Sequence, residues 1–258
     1  MLPKDESPSR QVLAADGLEV TYGQQVALRG VSLEISNGVT ALVGPNGSGK
    51  STLLRLLAGV QRPDAGAVTF RGREVVGRTK ANYHRRLGFL PQNPSWHGWM
   101  TVADVVGSFA WMHGVSAGQV QGRSEKVLAA VDLVDRSTAQ AGTLSGGQFQ
   151  RLMLATSLVH DPEILLLDEP TAGLDPEQRQ QFRGIVREAS RSRIVLISTH
   201  LLDDVATTAE RILVLDDGLI VFSGVPSDIA VQFGRADVPV DTDLESAYIA
   251  LLRDRSRR

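Results

Sequence analysis

Residues 44–51 read Gly44, Pro45, Asn46, Gly47, Ser48, Gly49, Lys50 and Ser51, a G-x-x-x-x-G-K-[ST] pattern, with Thr52 next in the chain. Each residue type has a use around a phosphate. Gly44, Gly47 and Gly49 let the backbone approach closely, so that successive N–H groups face one anion. A helix starting near Lys50 adds the positive end of its dipole at the same spot. Lys50 supplies a point charge for β- and γ-phosphates, and the Ser51 hydroxyl is placed for Mg²⁺. Four specified positions would match by accident in about one chain per hundred of this length. A strand before the loop and a helix after it make an accident rarer still.

Two carboxylates stand at the end of another apolar run. Residues 164–167 are Ile-Leu-Leu-Leu, followed by Asp168 and Glu169. Charge at the end of a buried strand is expensive unless it is paired. A magnesium–nucleotide complex held on the neighbouring strand's loop would pair it. Asp168 would then hold the metal through water, and Glu169 would polarise the attacking water as general base. Together the two motifs specify a nucleotide hydrolase. No N-K-x-D segment that would read guanine occurs in the chain, which disfavours GTP.

A third segment, Leu144 followed by Ser145, Gly146, Gly147 and Gln148, precedes a predicted helix beginning at about Gln148. Ser145 and the two glycine amides make a second anion site at a helix N-terminus. One chain with two phosphate-binding helix ends and a single nucleotide loop has reason to use the second on another molecule's nucleotide.

Positioning these groups requires an α/β scaffold. Residues 18–22, 27–35 and 39–43 are β-branched and apolar with Gly at the breaks, and 67–70 and 87–90 read as further strands. Helical spacing marks 51–58, 102–112 and 124–134. Strand–loop–helix units follow at 164–167 with 176–189, and at 194–198 with 201–209. Asp217-Gly218 between 212–215 and 219–222 is a hairpin signal. Strands alternating with helices imply a largely parallel sheet covered on both faces. In the tail, Leu244, Ala247, Tyr248, Leu251 and Leu252 share one helical face, with Asp241–Asp243 ahead as capping groups.

Composition narrows the class. Net charge is -2 over 258 residues and cysteine is absent. Neither a disulfide framework nor a Cys-based zinc site is possible, and no long basic stripe suggests nucleic acid as partner. No run approaches the roughly 20 apolar residues of a membrane span. Residues 1–10 are polar with two prolines and read as a disordered lead-in without a signal peptide's apolar core. Membrane contact is therefore expected only through a partner.

With these motifs in this order, the chain resembles the ATP-binding cassette (ABC) family over about residues 13–227. The resemblance implies an α/β fold: a P-loop NTPase (RecA-like) core with a largely parallel sheet, an N-terminal antiparallel β subdomain and a helical insertion at about 93–158. The cassette would cover 11–235, and 236–258 would be a C-terminal helix and basic tail. Tyr22 stands where the family has an aromatic that stacks on adenine. Gln92 matches the glutamine that touches Mg²⁺ or water and links core to insertion. Gly173-Leu-Asp175 matches the loop that crosses to the partner cassette, and His200 the switch histidine at the γ-phosphate. No key position departs from the pattern, so a competent ATPase is expected.

The resemblance further implies a head-to-tail dimer, of identical or related cassettes, with each ATP between one chain's 44–52 and the other's 145–148. Transmembrane permease subunits and a peripheral place on the cytoplasmic face of a bacterial membrane go with it. The short interval from Gln92 to Leu144, the single cassette and the missing cysteines set the chain apart from relatives in DNA repair and translation. A softer likeness to carriers of drugs, antibiotics and lipids, in residues 38–44, 99–104, 111–115 and 244–252, favours export. So does a chain that stops without an added regulatory domain. The alternative is an importer ATPase. Trp96 and Trp99 are candidate walls of a groove for the membrane subunit.

Overall fold

The computed structural model describes residues 12–233 and 240–255. In chain order its strands are β1 (Leu13–Tyr22), β2 (Gln25–Ile35), β3 (Gly38–Val43), β4 (Ala65–Phe70), β5 (Arg73–Glu74), β6 (Leu87–Leu90), β7 (Ile164–Asp168), β8 (Ile194–Thr199), β9 (Arg211–Asp216) and β10 (Leu219–Gly224). Its helices are α1 (Lys50–Leu57), α2 (Gly77–His84), α3 (Val102–Met112), α4 (Ala117–Ala130), α5 (Gly146–Leu158), α6 (Pro176–Ser190), α7 (Leu202–Thr208), α8 (Pro226–Phe233) and α9 (Val240–Arg255).

Two sheets organise the chain. β2-β1-β4-β5 form an antiparallel sheet, and β10-β9-β3-β8-β7-β6 form a second that is parallel except for its β9–β10 hairpin edge. All residues of β3 and β7 are buried, as continuous apolar runs in a doubly covered parallel sheet must be. α1 packs its leucines between the two sheets, where Leu53, Leu54, Leu56 and Leu57 join residues of β1, β2 and β7 in one cluster. A second cluster lies on the other face of the core sheet and joins it to α3, α4 and α5 through Val105, Val106, Leu128, Leu152 and Leu154.

The strand order corrects one expectation. The acidic strand does not neighbour the strand of the glycine-rich loop, because β8 runs between them, with Val43 opposite Thr199 and Asp168 opposite Ser198. The end of β8 therefore faces both motifs. Other differences are local. α4 occupies 117–130 rather than 124–134, and the mostly polar α2 and the short α8 are additions to the expected helices. α9 already includes Asp241 and Asp243, so they lie in its first turn rather than ahead of it. Ala247 and Leu251 are buried and Tyr248 packs against the cluster under β9. The lead-in at 1–10, the side chain of Leu244 and the last three residues of the basic tail lie outside what is described.

Candidate functional site

The glycine-rich loop leaves β3 and enters α1 through Gly49, whose φ of 107° no L side chain adopts comfortably. Gly49 also needs its missing side chain for space: a Cβ there would lie 2.5 Å from the Ala27 carbonyl oxygen. A Cβ on Gly44 would lie 2.1 Å from the Leu215 carbonyl oxygen. The β9–β10 hairpin clamps the loop from behind, as Gly218 N–H donates to the Ser48 carbonyl at 3.1 Å. No side chain caps the start of α1, so its first amides are left for a ligand.

Lys50 is buried and donates to the carbonyls of Gly44 (2.8 Å) and Pro45 (3.1 Å). Burial lowers its pKa, against the opposing pull of Glu169 and Asp168. An ammonium held this way inside a nest of backbone groups is placed to meet a phosphate. The buried Ser48 hydroxyl has no hydrogen-bond partner among the described residues. Asn46, Gly47, Ser51 and Thr52 line the same cleft of about 750 Å³, together with Tyr22, Gln92 and Glu169.

Glu169 is the hub. Its Oε1 lies 3.9 Å from Lys50 Nζ, and its Oε2 lies 3.4 Å from His200 Nδ1 and accepts from Gln92 Nε2 at 3.3 Å. Four residues from four separate chain segments thus meet at one carboxylate. Glu169 adopts φ 47°, a region sparsely used by side chains of its size, and such strain persists where the surroundings hold it. Here the hold comes from β8. Ser198 Oγ donates to Asp168 Oδ1 at 2.6 Å and accepts from the Glu169 amide at 2.9 Å. Ser198 is fully buried, and sequence reasoning missed it. Its signal was a hydroxyl inside an otherwise apolar strand, Ile-Val-Leu-Ile-Ser, just before His200.

Tyr22 stands half-exposed at the rim, its hydroxyl donating to Gln61 Oε1 at 2.6 Å and near Arg55 at 3.5 Å. Its ring face is thereby fixed without being covered, as a stacking platform requires. Arg55 and Gln61 were also missed as its supports.

Ser145, Gly146, Gly147 and Gln148 do not line this cleft. They open α5 with a capping box, in which Ser145 Oγ accepts from the Gln148 amide at 3.3 Å and Gln148 Oε1 accepts from the Ser145 amide at 3.0 Å. Trp96, Trp99 and Trp111 all line an apolar groove between α3 and α4. Trp96 is part-buried and packs on Phe109 with ring centroids 4.9 Å apart, whereas Trp99 and Trp111 are 71% and 73% exposed.

The donor set suits a hard divalent cation: the Ser51 hydroxyl, the Gln92 carbonyl oxygen left free by its Nε2 contact, and the buried Asp168 carboxylate. Among the described residues no three His, Cys, Asp or Glu side chains gather in metal-holding geometry. Mg²⁺ characteristically binds through one or two protein groups plus phosphates and water.

Known proteins are similar to this chain in sequence and fold. The ABC transporter family matches residues 28–172. A daunorubicin resistance ATP-binding protein of Streptomyces coeruleorubidus is 35% identical over 93% of this chain and 77% of its own. A Nod factor export ATP-binding protein of Ralstonia nicotianae is 33% identical over 89% of this chain and 72% of its own. A bacterial ABC transporter cassette solved as a dimer superposes with a TM-score of 0.75 and 25% identity, over 83% of this chain and 98% of that one.

Proposed function

The chain belongs to the ABC transporter family as an ATP-binding, ATP-hydrolysing subunit, and from that premise we propose how its residues divide the work. Lys50, the amides of 44–50 and Ser51 hold the phosphates, with Thr52 behind them, and Tyr22 stacks on adenine. Ser51, Gln92 and Asp168 hold Mg²⁺, which when bound offsets the charge of the phosphate oxygens. Glu169 takes the proton of the attacking water, and His200 orients that carboxylate and meets the γ-phosphate. Ser198 keeps Asp168 and Glu169 in place. The observation that carries this assignment is the convergence of Lys50, Gln92 and His200 on the two oxygens of Glu169.

The second helix end serves a partner cassette in a head-to-tail pair. Its support is spatial: Ser145–Gln148 lie outside the lining of the cleft on their own chain, and a related cassette forms a dimer. ATP then joins two chains, and its hydrolysis shifts the pair from closed to open. The opening would move separate membrane subunits at the inner face of a bacterial membrane; among the described residues no helix is long and apolar enough to cross one. Relatives named for daunorubicin resistance and Nod factor export favour export of a drug, antibiotic or lipid-like compound. Trp96 and Trp99 on the wall of the α3–α4 groove are the contact we assign to the membrane subunit. Unchanged co-purification of the Trp96→Ala and Trp99→Ala chains with that subunit would remove this role.

The deciding experiment uses the Glu169→Gln chain, with light scattering after size exclusion. ATP with magnesium should convert monomer to dimer, and Ser145→Arg should abolish the change. A chain that binds ATP but stays monomeric would overturn self-pairing, and normal turnover by Glu169→Gln would remove the general-base role.

A further inference from the structure

A net charge of -2 conceals a local excess of the opposite sign. Residues 71–86 hold Arg71, Arg73, Arg78, Lys80, Arg85 and Arg86, six of the 27 lysines and arginines, against Glu74 as the single carboxylate. Four of the six meet in space. Arg71, Arg73, Arg78 and Arg86 line a cleft of about 1200 Å³ bounded by β4, β5 and α2. Its floor is firm. Phe70 and Tyr83 pack edge to face at 5.9 Å, and the Tyr83 hydroxyl donates to the Leu57 carbonyl at 2.6 Å. The Arg71 guanidinium lies 5.1 Å from the centre of the Phe70 ring, which orients it.

The charges do not cancel. Arg71 and Arg86 share one carboxylate, that of Glu163. Arg73 and Arg78 are exposed and have no ion-pair partner among the described residues. Setting Glu163 and Glu74 against the four guanidiniums leaves an excess of two positive charges. Like charges gathered on one wall raise the local potential and concentrate anions there. Planar guanidinium forks match phosphate oxygens two at a time, and the Asn82 side chain on the same wall adds an uncharged donor.

We propose that this cleft is a second anion site, separate from the nucleotide cleft, for a ligand carrying phosphate groups: the headgroup of an anionic lipid or a soluble polyphosphate. It lies at the opposite end of the core sheet from the carboxylates. Arg86 immediately precedes β6 and Glu163 immediately precedes β7, and the Arg86 carbonyl accepts from the amides of Glu163 (2.8 Å) and Ile164 (3.0 Å). The far ends of those two strands carry Gln92 and Asp168–Glu169. About five residues of strand separate the two places, roughly 16 Å. A single phosphate cannot reach both, so the two places take separate phosphate groups.

The test uses the full chain carrying Lys50→Ala, which weakens the nucleotide loop so that remaining phosphate binding reports the cleft. Sodium tripolyphosphate is titrated by calorimetry. Separately, the chain is sedimented with phosphatidylglycerol–phosphatidylcholine vesicles and with phosphatidylcholine vesicles alone. At least one anionic probe should bind, more weakly as salt rises. Arg73→Gln with Arg78→Gln should lower that affinity about tenfold or more, whereas Arg73→Lys with Arg78→Lys should keep part of it. Binding of tripolyphosphate alone identifies a soluble ligand, and binding of the anionic vesicles identifies a lipid headgroup. Failure of both probes, or an undiminished affinity in the glutamine pair, overturns the site. ATP hydrolysis by the glutamine pair with Lys50 intact should match the parent chain, so failure here leaves the assignment of the nucleotide cleft standing.

Discussion

α1 and α5 both begin at a phosphate-type N-terminus, yet they satisfy their first amides in opposite ways. α1 starts at Gly49, in a left-handed conformation and without a side-chain cap. α5 starts at Ser145, in an extended conformation, with a reciprocal capping box to Gln148. Unsatisfied amides at a helix start need a partner. At α1 the sequence withholds one, so a phosphate is the natural occupant. At α5 two donors are already satisfied within the chain, and a phosphate there must share them or use the amides of Gly146 and Gly147. On the proposed assignment the first end is committed to its ligand, whereas the second is stable without one and can wait for the ATP of a partner.

Glycine substitution separates the two ends most sharply. Gly49→Ala forces a Cβ into a positive φ and to within 2.5 Å of the Ala27 carbonyl oxygen. ATP affinity measured by calorimetry should fall by about 100-fold or more, since both the loop and the start of α1 must shift. A Cβ on Gly146 would meet no atom within 4 Å, and the φ of Gly146 is not positive. Gly146→Ala should therefore leave ATP affinity of the single chain within about twofold, yet impair ATP-driven pairing. Equal damage to monomer affinity from both substitutions would break the distinction.

Charge at the first end comes next. Lys50→Ala removes the one ammonium that donates into the loop, and ATP affinity should drop by roughly 10- to 100-fold. Glu169→Gln keeps the shape of the hub and removes its basicity. Turnover should fall by roughly 10²- to 10⁴-fold with ATP binding retained. Single-turnover hydrolysis and equilibrium binding together separate these outcomes, and a Lys50→Ala chain with intact affinity would sink the cradle assignment.

The committed end was also the more legible in sequence. Gly44, Gly49, Lys50 and Ser51 declare their use because phosphate cradling restricts residue type at each position. Asp168 and Glu169 were visible for a related reason, as charge at the end of an apolar run. What escaped was set by sheet order. The hydroxyl of Ser198 in an apolar strand was a local signal, but its role became visible only when β8 was found between β3 and β7, placing that hydroxyl between Asp168 and the Glu169 amide. The different exposures of Trp96 and Trp99 were equally hidden, since both line one groove but Trp96 also packs on Phe109 while Trp99 stays exposed. α2 was missed because its residues are mostly polar and a single buried tyrosine holds it down.

The far end of α5 provides a smaller test, on stability. His160 follows the helix and stacks on His113, at the C-cap of α3, with centroids 3.9 Å apart, while its Nε2 meets the Leu87 carbonyl at 3.0 Å. Burial, then the like charge of His113, push its pKa down to about 4, with Arg123 adding to the shift and the Leu87 carbonyl contact, then Asp161, opposing it. A base with a lowered folded pKa stabilises fully above its unfolded value near 6.5 and loses that stability as pH falls toward about 4. Between pH 7 and 4.5 the contribution lost is roughly 2 kcal/mol. Chemical denaturation at the two pH values should show a shallower loss for His160→Gln than for the parent, and parallel losses would show that the stacked pair does not anchor α5.

The smallest effect bears most directly on the comparison, because it asks whether Ser145 is a cap, a phosphate ligand, or both. Ser145→Ala removes the side-chain oxygen that accepts from the Gln148 amide, and stability should fall by about 1 kcal/mol. Ser145→Asp keeps an acceptor at that position and favours the helix dipole, so its unfolding midpoint should stay near that of the parent. A carboxylate facing the γ-phosphate of a partner's ATP would nevertheless repel it. In a Glu169→Gln background, Ser145→Asp should therefore block the ATP-driven dimer while the chain stays as stable as before. If Ser145→Asp pairs normally, the second helix end serves only its own chain, and the contrast between the two helix starts reduces to a difference in capping.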